Sequence, residues 1–233
     1  MRGKFLKMPN TIIDTRNLSN QVYDYIIKSI IDGKLVFGQI INIREIANEL
    51  NISPMPVREA IKRLSFENII QVNPRSNCII KVPKKKNILE LFEVRELIEV
   101  YALQKYFYNK TKKDLSYLGD LVKEMNSNKE ENNDPLINRE LINLDTLYHT
   151  DIVSLAENKS MLKIYKKITL QISMALIYCI VDFPYEEWVY KDHKIIFDCL
   201  INYSEEAISV LKKHFIHIKN NIEKSKKLSL DIK

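Results

Sequence analysis

The sequence predicts a mostly α-helical chain of two domains, an N-terminal winged helix-turn-helix followed by an all-α bundle. Three observations lead to this prediction. Apolar residues recur at helical spacing along most of the 233 residues. Three of the four glycines lie within the first 40 residues, so turn signals are concentrated there. The basic, proline-containing stretch PKKKN at 83–87 interrupts the helical pattern. We therefore expect one domain over residues 1–83 and a second over residues 84–233.

The balance of charged residues also changes within the PKKKN stretch. Residues 1–86 hold 15 Lys and Arg against 7 Asp and Glu, whereas residues 87–233 hold 21 against 23. A basic domain joined to a slightly acidic one points to nucleic acid, or another anionic surface, as the partner of the first domain. The composition, 45% hydrophobic and 28% charged, is typical of a globular protein.

The chain carries no sign of a membrane or secreted protein. No apolar run has the length needed to span a bilayer, and the N-terminus lacks the apolar core of a signal peptide. The cysteines Cys78, Cys179 and Cys199 show no CxxC spacing, which favours reduced thiols. We expect a cytoplasmic protein with no membrane partner.

In the first domain, apolar periodicity predicts three helices and then a hairpin. LSNQVYDYIIKSIIDG forms the first helix, VFGQIIN a short extended connector, and IREIANEL the second helix. In ISPMPVREAIKRLSFENII, Ser53 is a suitable N-cap and Pro54 a suitable first residue for the third helix. IIQVNPRSNCIIKV predicts two strands around NPRSN. This order of elements is the winged helix-turn-helix plan.

Basic residues of the third helix are the first candidates for DNA contact. Arg58, Lys62 and Arg63 lie away from its apolar face, and such side chains neutralise phosphates and bind guanine edges. Arg75 lies at the hairpin tip, where it would approach the DNA backbone or the minor groove. Any one of them alone is equally consistent with a solvated surface charge. Together on this topology they favour DNA binding.

The motifs GKLxxG, REIAxxL and SPMPVREAIKRL resemble the DNA-binding domain of GntR-type bacterial transcription regulators, over nearly all of residues 15–83. The resemblance implies a homodimer on a pseudo-palindromic, double-stranded operator, with DNA contacts at Arg44, Arg58 and the wing at Arg75. Two departures stand out: Pro54 replaces an Arg that many members carry, and Arg75-Ser76 replaces a usual Arg-Gly. The complete set of DNA-contact candidates is Arg44, Ser53, Arg58, Lys62, Arg63 and Arg75.

Residues 88–226 predict about six helices and no strand, an all-α bundle. All four histidines of the chain lie in this part. Asp145 and His149 are four residues apart and share a helix face. An Asp and three imidazoles converging from separate helices would suit Zn²⁺, Ni²⁺ or Mn²⁺. On spacing alone, a solvated pair or a hydrogen-bonded core histidine is the commoner arrangement.

The segments DTLYH with Asn158, DHKII at 192–196 and AISVLKKH at 207–214 resemble the helical effector domain of the FadR-type branch of the GntR family. In many members of that branch an Asp and three His bind a divalent metal in the bundle core. The resemblance implies four metal ligands, and His217 lies outside the pattern. The implied ligands are Asp145, His149, His193 and His214.

Arg95, in FEVRELIE, matches an arginine that often faces the effector pocket in this branch. There it would pair with the carboxylate of an effector through two hydrogen bonds. The alternative is a solvent-exposed arginine paired with Glu99, four residues further along the helix.

The favoured interpretation is a transcription regulator and not an enzyme: a repressor that a small carboxylate metabolite releases from DNA. The first alternative is a metal-responsive regulator in which the ion itself is the signal. A metal-dependent hydrolase is disfavoured because no HExxH motif is present and no Glu adjoins the histidines. A regulator that binds acyl chains without metal is disfavoured by the complete Asp and His set.

Overall fold

In the computed structural model, the residues described are 15–73, 77–110, 113–127, 135–179, 187–226 and 228. Contacts between residues divide the chain into two compact units, residues 1–80 and 81–233. The division falls three residues before the boundary expected from the sequence. Among the described residues, no helix combines the length and apolar character that a membrane span requires.

The described residues of the first unit form three helices and a small antiparallel sheet, and the prediction of a winged helix-turn-helix is confirmed. Its elements are α1 (Thr15–Ile31), β1 (Ile40–Ile41), α2 (Ile43–Glu49), α3 (Pro54–Phe66), β2 (Ile70–Val72) and β3 (Cys78–Ile80). The segment expected as a connector contributes β1, which pairs with β3 so that the strand order is β1-β3-β2. A two-residue strand carries too little alternation to stand out in the sequence.

The core of the first unit lies between α1 and α3. Val22, Ile26 and Ile30 are buried on α1, at the spacing of one helix face. On α3 the matching buried face is Val57, Ile61 and Leu64. Because these apolar residues face inward, the basic residues of α3 are left on the opposite, exposed side. Packing of the core therefore presents the predicted DNA-binding face of α3 to solvent.

Ser53 occupies the N-cap position of α3, but its side chain makes no capping hydrogen bond, so that part of the expectation is wrong. A capping hydroxyl accepts from the backbone N–H of the second or third helical residue. The third residue here is Pro56, which has no N–H to donate. By contrast, Asn42 caps α2, and its Oδ1 accepts from the backbone N of Arg44 at 3.0 Å.

The second unit is an all-α bundle, as predicted. Its helices are α4 (Lys85–Asn109), α5 (Ser116–Ser127), α6 (Pro135–Ser154), α7 (Lys159–Cys179), α8 (Glu187–Ile201) and α9 (Glu206–Lys224). The long α4 packs against α6, α7 and α9, while α8 packs against α9 and α5. Apolar residues of all six helices form one core cluster. Within this apolar core a group of polar side chains from α4, α6, α7, α8 and α9 is also buried.

Candidate metal centre and DNA-binding surface

Four potential metal ligands from three helices meet inside the bundle. α6 supplies Asp145 and His149, α8 supplies His193, and α9 supplies His214. All four side chains are buried, and one ligand atom from each lies within 4.8 Å of the others. His193 Nε2 is 3.0 Å from His149 Nε2 and 3.3 Å from Asp145 Oδ1. The structure thus brings together the four residues that the sequence singled out.

Local packing explains why these residues converge. Asp145 and His149 lie one turn apart on the inner face of α6, and His149 Nε2 is 3.5 Å from Asp145 Oδ1. Tyr148 is fully buried, and its hydroxyl donates to the backbone carbonyl of His193 at 2.9 Å. This bond ties α8 to α6 at the level of the cluster. Tyr148 is therefore part of the core that supports the cluster.

The electrostatics leave Asp145, His193 and His214 in forms that bind cations. At His149, burial and Arg95 lower the pKa but Glu99 and Asp145 outweigh them and raise it, so a cation competes with a proton there. Burial alone would raise the pKa of the Asp145 carboxyl, but His149 and His193 outweigh burial and hold that pKa well below its usual range. Burial lowers the pKa of His193 to about 4, so its ring is neutral near pH 7. Burial also lowers the pKa of His214. An ionised carboxylate and neutral imidazoles are the forms that metal coordination requires.

One nitrogen of the cluster gives an independent indication of a missing partner. His214 Nε2 is buried and has no hydrogen-bond partner among the described residues. A buried polar atom without a partner costs about 1–3 kcal/mol, and native proteins contain few of them. Because this nitrogen belongs to the ligand cluster, a bound cation would satisfy it. The residues present therefore fit a divalent metal ion.

Two carboxylates that no sequence pattern marks as site residues contact the histidines on the side of each ring that faces away from the cluster. His149 Nδ1 is 2.6 Å from Glu99 Oε2, and His214 Nδ1 is 3.2 Å from Asp192 Oδ2. Glu99 appeared in the sequence only as a possible surface partner of Arg95. Sequence spacing cannot reveal these contacts, because Glu99 and His149 lie 50 residues apart. The position of Glu99 four residues after Arg95 was the only available signal.

Arg95 lies inside the bundle, so the alternative of a solvent-exposed arginine is wrong. Its side chain is 1% exposed because this face of α4 packs against α6 and α7. Arg95 Nε donates to Glu99 Oε1 at 3.0 Å and to the Tyr165 hydroxyl at 3.2 Å, and Nη2 donates to Asp145 Oδ2 at 3.3 Å. The guanidinium therefore joins an outer carboxylate, Glu99, to a predicted metal ligand, Asp145.

His217 lies near the cluster but outside it. Its side chain is 39% exposed, and its Nδ1 is 3.9 Å from Asp192 Oδ2. Trp188 packs against both this histidine and a predicted ligand, with its ring centroid 5.1 Å from that of His217 and 5.6 Å from that of His214. All three predicted ligand histidines are buried, so His217 alone among the four is accessible to water.

In the first unit, the predicted DNA-contact residues divide into two groups. Arg44, Ser53, Arg58 and Lys62 are exposed on α2 and α3. Arg63 is instead engaged in packing: its guanidinium lies 3.8 Å from the Tyr23 ring centroid, and it hydrogen-bonds Asn20 and Glu67. These contacts hold α3 against α1. Arg75 and Ser76, at the predicted wing tip, lie outside the described residues.

Comparison with protein families gives two matches that follow one another along the chain. The family described as bacterial regulatory proteins, gntR family, matches residues 18–80. The family described as FCD domain matches residues 90–217, which is more than half of the chain. The first match covers the winged helix-turn-helix, and the second covers the bundle that contains the His and Asp cluster.

Individual relatives are transcription regulators. The chain is 25% identical over 186 residues to the Nta operon transcriptional regulator of Aminobacter aminovorans, covering 78% of this chain and 85% of the relative. It is also 25% identical over 185 residues to a protein of Paenarthrobacter nicotinovorans named "Probable D-xylose utilization operon transcriptional repressor", covering 78% of each chain. The gluconate operon transcriptional repressor of Bacillus subtilis (strain 168) is 34% identical over 97 residues, 40% of each chain.

Solved structures share the fold. McbR/YncC of E. coli superposes with a TM-score of 0.74 at 20% identity, covering 88% of this chain and 97% of the other. A regulator from Rhodococcus sp. RHA1 superposes with a TM-score of 0.77 at 18% identity, covering 89% and 98%. The relatives are regulators of transcription, so the expectation that the protein is not an enzyme is confirmed. The chain belongs to the GntR family of bacterial transcriptional regulators, with an FCD effector domain following its winged helix-turn-helix.

Proposed function

We propose that the protein is a ligand-responsive repressor whose helical unit holds a divalent metal ion and binds a small carboxylate effector. The observation that carries this proposal is the convergence of Asp145, His149, His193 and His214, all buried, within 4.8 Å. The first unit is the DNA-binding domain and the second the effector and dimerisation domain. A protein that acts on operator DNA works where the chromosome lies, so we place it in the cytoplasm.

The DNA contacts belong to the exposed cations of the first unit. Arg44 at the start of α2, together with Arg58 and Lys62 on α3, is exposed to solvent. Lys62 lies 6.0 Å from the centroid of the exposed Phe66 ring. Such cations bind phosphates and guanine edges in the major groove. Because the Ser53 hydroxyl makes no cap bond, it is available to a phosphate oxygen beside the helix N-terminus. Arg63 contributes indirectly by holding α3 in place, and Arg75 would reach DNA from the wing.

The metal would be held by Asp145 Oδ1 and one nitrogen from each of His149, His193 and His214. Three imidazoles and one carboxylate suit Zn²⁺, Ni²⁺ or Mn²⁺. When bound, such an ion supplies a fixed positive charge and one or two open coordination positions for an anionic ligand. The four protein ligands would fill four coordination positions. An effector carboxylate would then occupy the one or two positions that remain.

Arg95 bears on how the effector binds. Its guanidinium is already engaged by Glu99 and Asp145. An effector carboxylate could pair with it only by displacing one of these carboxylates or by sharing the guanidinium with it. We therefore propose that Arg95 senses the effector through Asp145: coordination that draws Asp145 toward the ion weakens its pair with Arg95. This couples the centre to α4.

A homodimer is part of the proposal, and the exposed face of α4 supports it. Val94, Leu97, Tyr101 and Tyr108 are large apolar or aromatic residues exposed to solvent, spaced three, four and seven residues apart along one helix face. Leu97 is 71% exposed. An exposed apolar stripe is typical of a protein interface. In a dimer, a change in α4 would alter the spacing of the two DNA-binding units and with it operator affinity.

A second candidate is a regulator for which the metal ion is itself the signal. The observation that favours it is that the Arg95 guanidinium already hydrogen-bonds Glu99, Tyr165 and Asp145, so it does not require an effector carboxylate as a partner. In this case DNA affinity changes with metal alone. Addition of small carboxylates to the metal-loaded protein would then leave DNA affinity unchanged.

Elemental analysis of protein purified without chelator or His-tag tests the metal proposal. We expect about one divalent metal per chain. His193→Ala should lose the metal, whereas the control His217→Ala, at the exposed neighbouring histidine, should retain it. Absence of metal from the wild type, even after incubation with Zn²⁺, Ni²⁺ and Mn²⁺, would overturn the metal centre. Operator fragments selected by the wild type, titrated with and without carboxylates, then separate the two candidates.

A further inference from the structure

The three imidazoles of the candidate metal centre differ in what lies behind them. His149 Nδ1 is 2.6 Å from Glu99 Oε2, and His214 Nδ1 is 3.2 Å from Asp192 Oδ2. His193 Nδ1 is buried with no hydrogen-bond partner among the described residues. Two ring nitrogens that face away from the centre are therefore held by carboxylates, and the third is not.

Glu99 is placed to fix the orientation of the His149 ring. Its side chain is fully buried, and it accepts hydrogen bonds from three groups on three helices. The donors are His149 Nδ1, Arg95 Nε and the Tyr165 hydroxyl. A carboxylate can only accept, so the proton of the His149–Glu99 bond lies on Nδ1. The lone pair of His149 is then on Nε2, the nitrogen that faces Asp145 and His193.

Asp192 performs the same task for His214 under weaker constraint. Its side chain is 13% exposed, and its Oδ2 lies 3.2 Å from His214 Nδ1 and 3.9 Å from His217 Nδ1. With Nδ1 of His214 donating to this carboxylate, the lone pair again lies on Nε2, the buried nitrogen that has no partner. Exposure to water and the nearby His217 weaken the interaction of Asp192 with the His214 ring.

We infer that Glu99, and to a smaller degree Asp192, are positioning residues of the metal centre, which select Nε2 of His149 and of His214 as the ligand atoms. The inference rests on the proposed metal centre and names the residues that set its affinity. Carboxylates behind ligand histidines fix ring orientation and raise ligand basicity. Their loss typically weakens metal affinity by about 10–100-fold. His193 has no such support, so its replacement acts only through the lost ligand.

The test measures Zn²⁺ affinity of the full chain by competition with a chromophoric chelator. Glu99→Gln keeps the shape and an accepting oxygen but removes the charge, and we expect about 10–100-fold weaker binding. Asp192→Asn should weaken binding less. Glu96→Gln is the matched control on α4, because Glu96 pairs with Lys219. Asp198→Asn is the control on α8, because Asp198 pairs with Lys194. Both controls should bind Zn²⁺ as the wild type does.

A ¹⁵N histidine NMR spectrum of the zinc-loaded protein supplies a readout that a purely structural role would not change. In the wild type the Nδ1 proton of His149 should resonate far downfield, because it bonds a carboxylate. In Glu99→Gln it should move upfield while the control spectrum stays constant. Unchanged affinity and an unchanged spectrum in this variant would overturn the inference and leave the metal centre intact.

The outcomes for the two proposals are separable. A wild type that binds no Zn²⁺ overturns the metal centre itself, together with this inference. If Glu99→Gln fails to fold, Asp192→Asn decides, because its partly exposed site tolerates an amide. Several-fold weaker zinc binding by Asp192→Asn than by Asp198→Asn supports positioning by the outer carboxylates. Equal zinc affinity of these two variants overturns the inference that the outer carboxylates position the ligand histidines.

Discussion

The two units of the protein place the same residue type in opposite environments. In the first unit Arg58 lies exposed on α3, away from the apolar core. In the second unit Arg95 is 1% exposed and pairs with two buried carboxylates. An exposed cation can bind a partner without being needed for folding, whereas a buried cation stabilises the fold because it pairs with buried carboxylates. Function and stability should therefore be separable in the first unit and coupled in the second.

The largest expected effect is replacement of the buried arginine. Arg95→Leu leaves the Glu99 and Asp145 carboxylates buried without their cation, and loss of one partner of a buried ion pair costs about 3–5 kcal/mol. Trp188 is the single tryptophan of the chain and lies in the second unit, so its fluorescence reports unfolding of the bundle. We expect its urea unfolding midpoint to fall strongly.

The control for that prediction is Arg58→Leu, measured in the same way. A surface substitution of this kind changes stability by less than about 0.5 kcal/mol. Equal midpoints for the two variants would contradict the contrast between the units, because they would show that Arg95 is no more important to the fold than a surface arginine.

Metal removal is the next largest effect and should act on the second unit alone. A ligand that binds only the folded state at about 100 times its dissociation constant stabilises that state by about 3 kcal/mol. Chelation should thus lower the unfolding midpoint followed by Trp188 fluorescence. His149→Ala, which lacks one proposed ligand, should show no further loss on chelation. A chelator effect of equal size in this variant would assign the stabilisation to another site.

The third prediction compares two arginines on α3 itself. Arg58→Ala should weaken operator binding by about 1–3 kcal/mol without a change in stability. Arg63 stacks on Tyr23 and bonds Asn20 and Glu67, so Arg63→Ala should instead lower stability by about 1 kcal/mol. Fluorescence anisotropy with labelled operator and thermal unfolding followed by circular dichroism measure the two quantities. The reverse pattern would exchange the roles assigned to the two residues.

The same contrast explains how far the sequence could predict the molecule. In the first unit the described helices, the pairing of β2 with β3 and the exposed cations follow from periodicity within a short stretch. The two-residue β1 and the packing of Arg63 on Tyr23 were missed. The placement of two proposed metal ligands, Asp145 and His149, on one helix face also follows from local spacing. The contacts of Glu99 with His149, and of Arg95 with Asp145, each join residues 50 positions apart. No local pattern encodes such contacts, because helix packing alone creates them.

Arg63 shows the opposite limit of local reasoning. Its position on the solvent side of α3 correctly predicted exposure, since its side chain is 51% exposed. Exposure alone did not predict that Arg63 would pack on the ring of Tyr23 in the neighbouring helix α1. A pattern within one helix states which face is polar, but the partners on that face come from other elements.

The last predicted effect is a pH dependence confined to the metal-free bundle. The pKa of His193 falls from 6.5 to about 4 on burial, and burial also lowers the pKa of His214. Below about pH 6.5 the unfolded chain therefore binds protons at these two positions that the folded chain does not. The free energy of unfolding should fall by about 1–2 kcal/mol as the pH drops from about 6.5 to 5.

The His149 ring does not reverse this sign. Burial and Arg95 lower its pKa, but Glu99 and Asp145 outweigh them and raise it, so this ring adds stability as the pH falls through the unfolded pKa. Because the unfolded ring is half-protonated at about pH 6.5, at most about 0.4 kcal/mol of this stabilisation is gained below that pH, less than the loss expected from His193 and His214. In chelator, His193→Gln should flatten the pH dependence, whereas His217→Gln, at the exposed histidine, should leave it as in the wild type. An unfolding midpoint of the wild type that does not change over this pH range would contradict the prediction. It would show that the folded bundle takes up protons at the buried imidazoles without unfolding, so that these buried sites behave more like exposed ones.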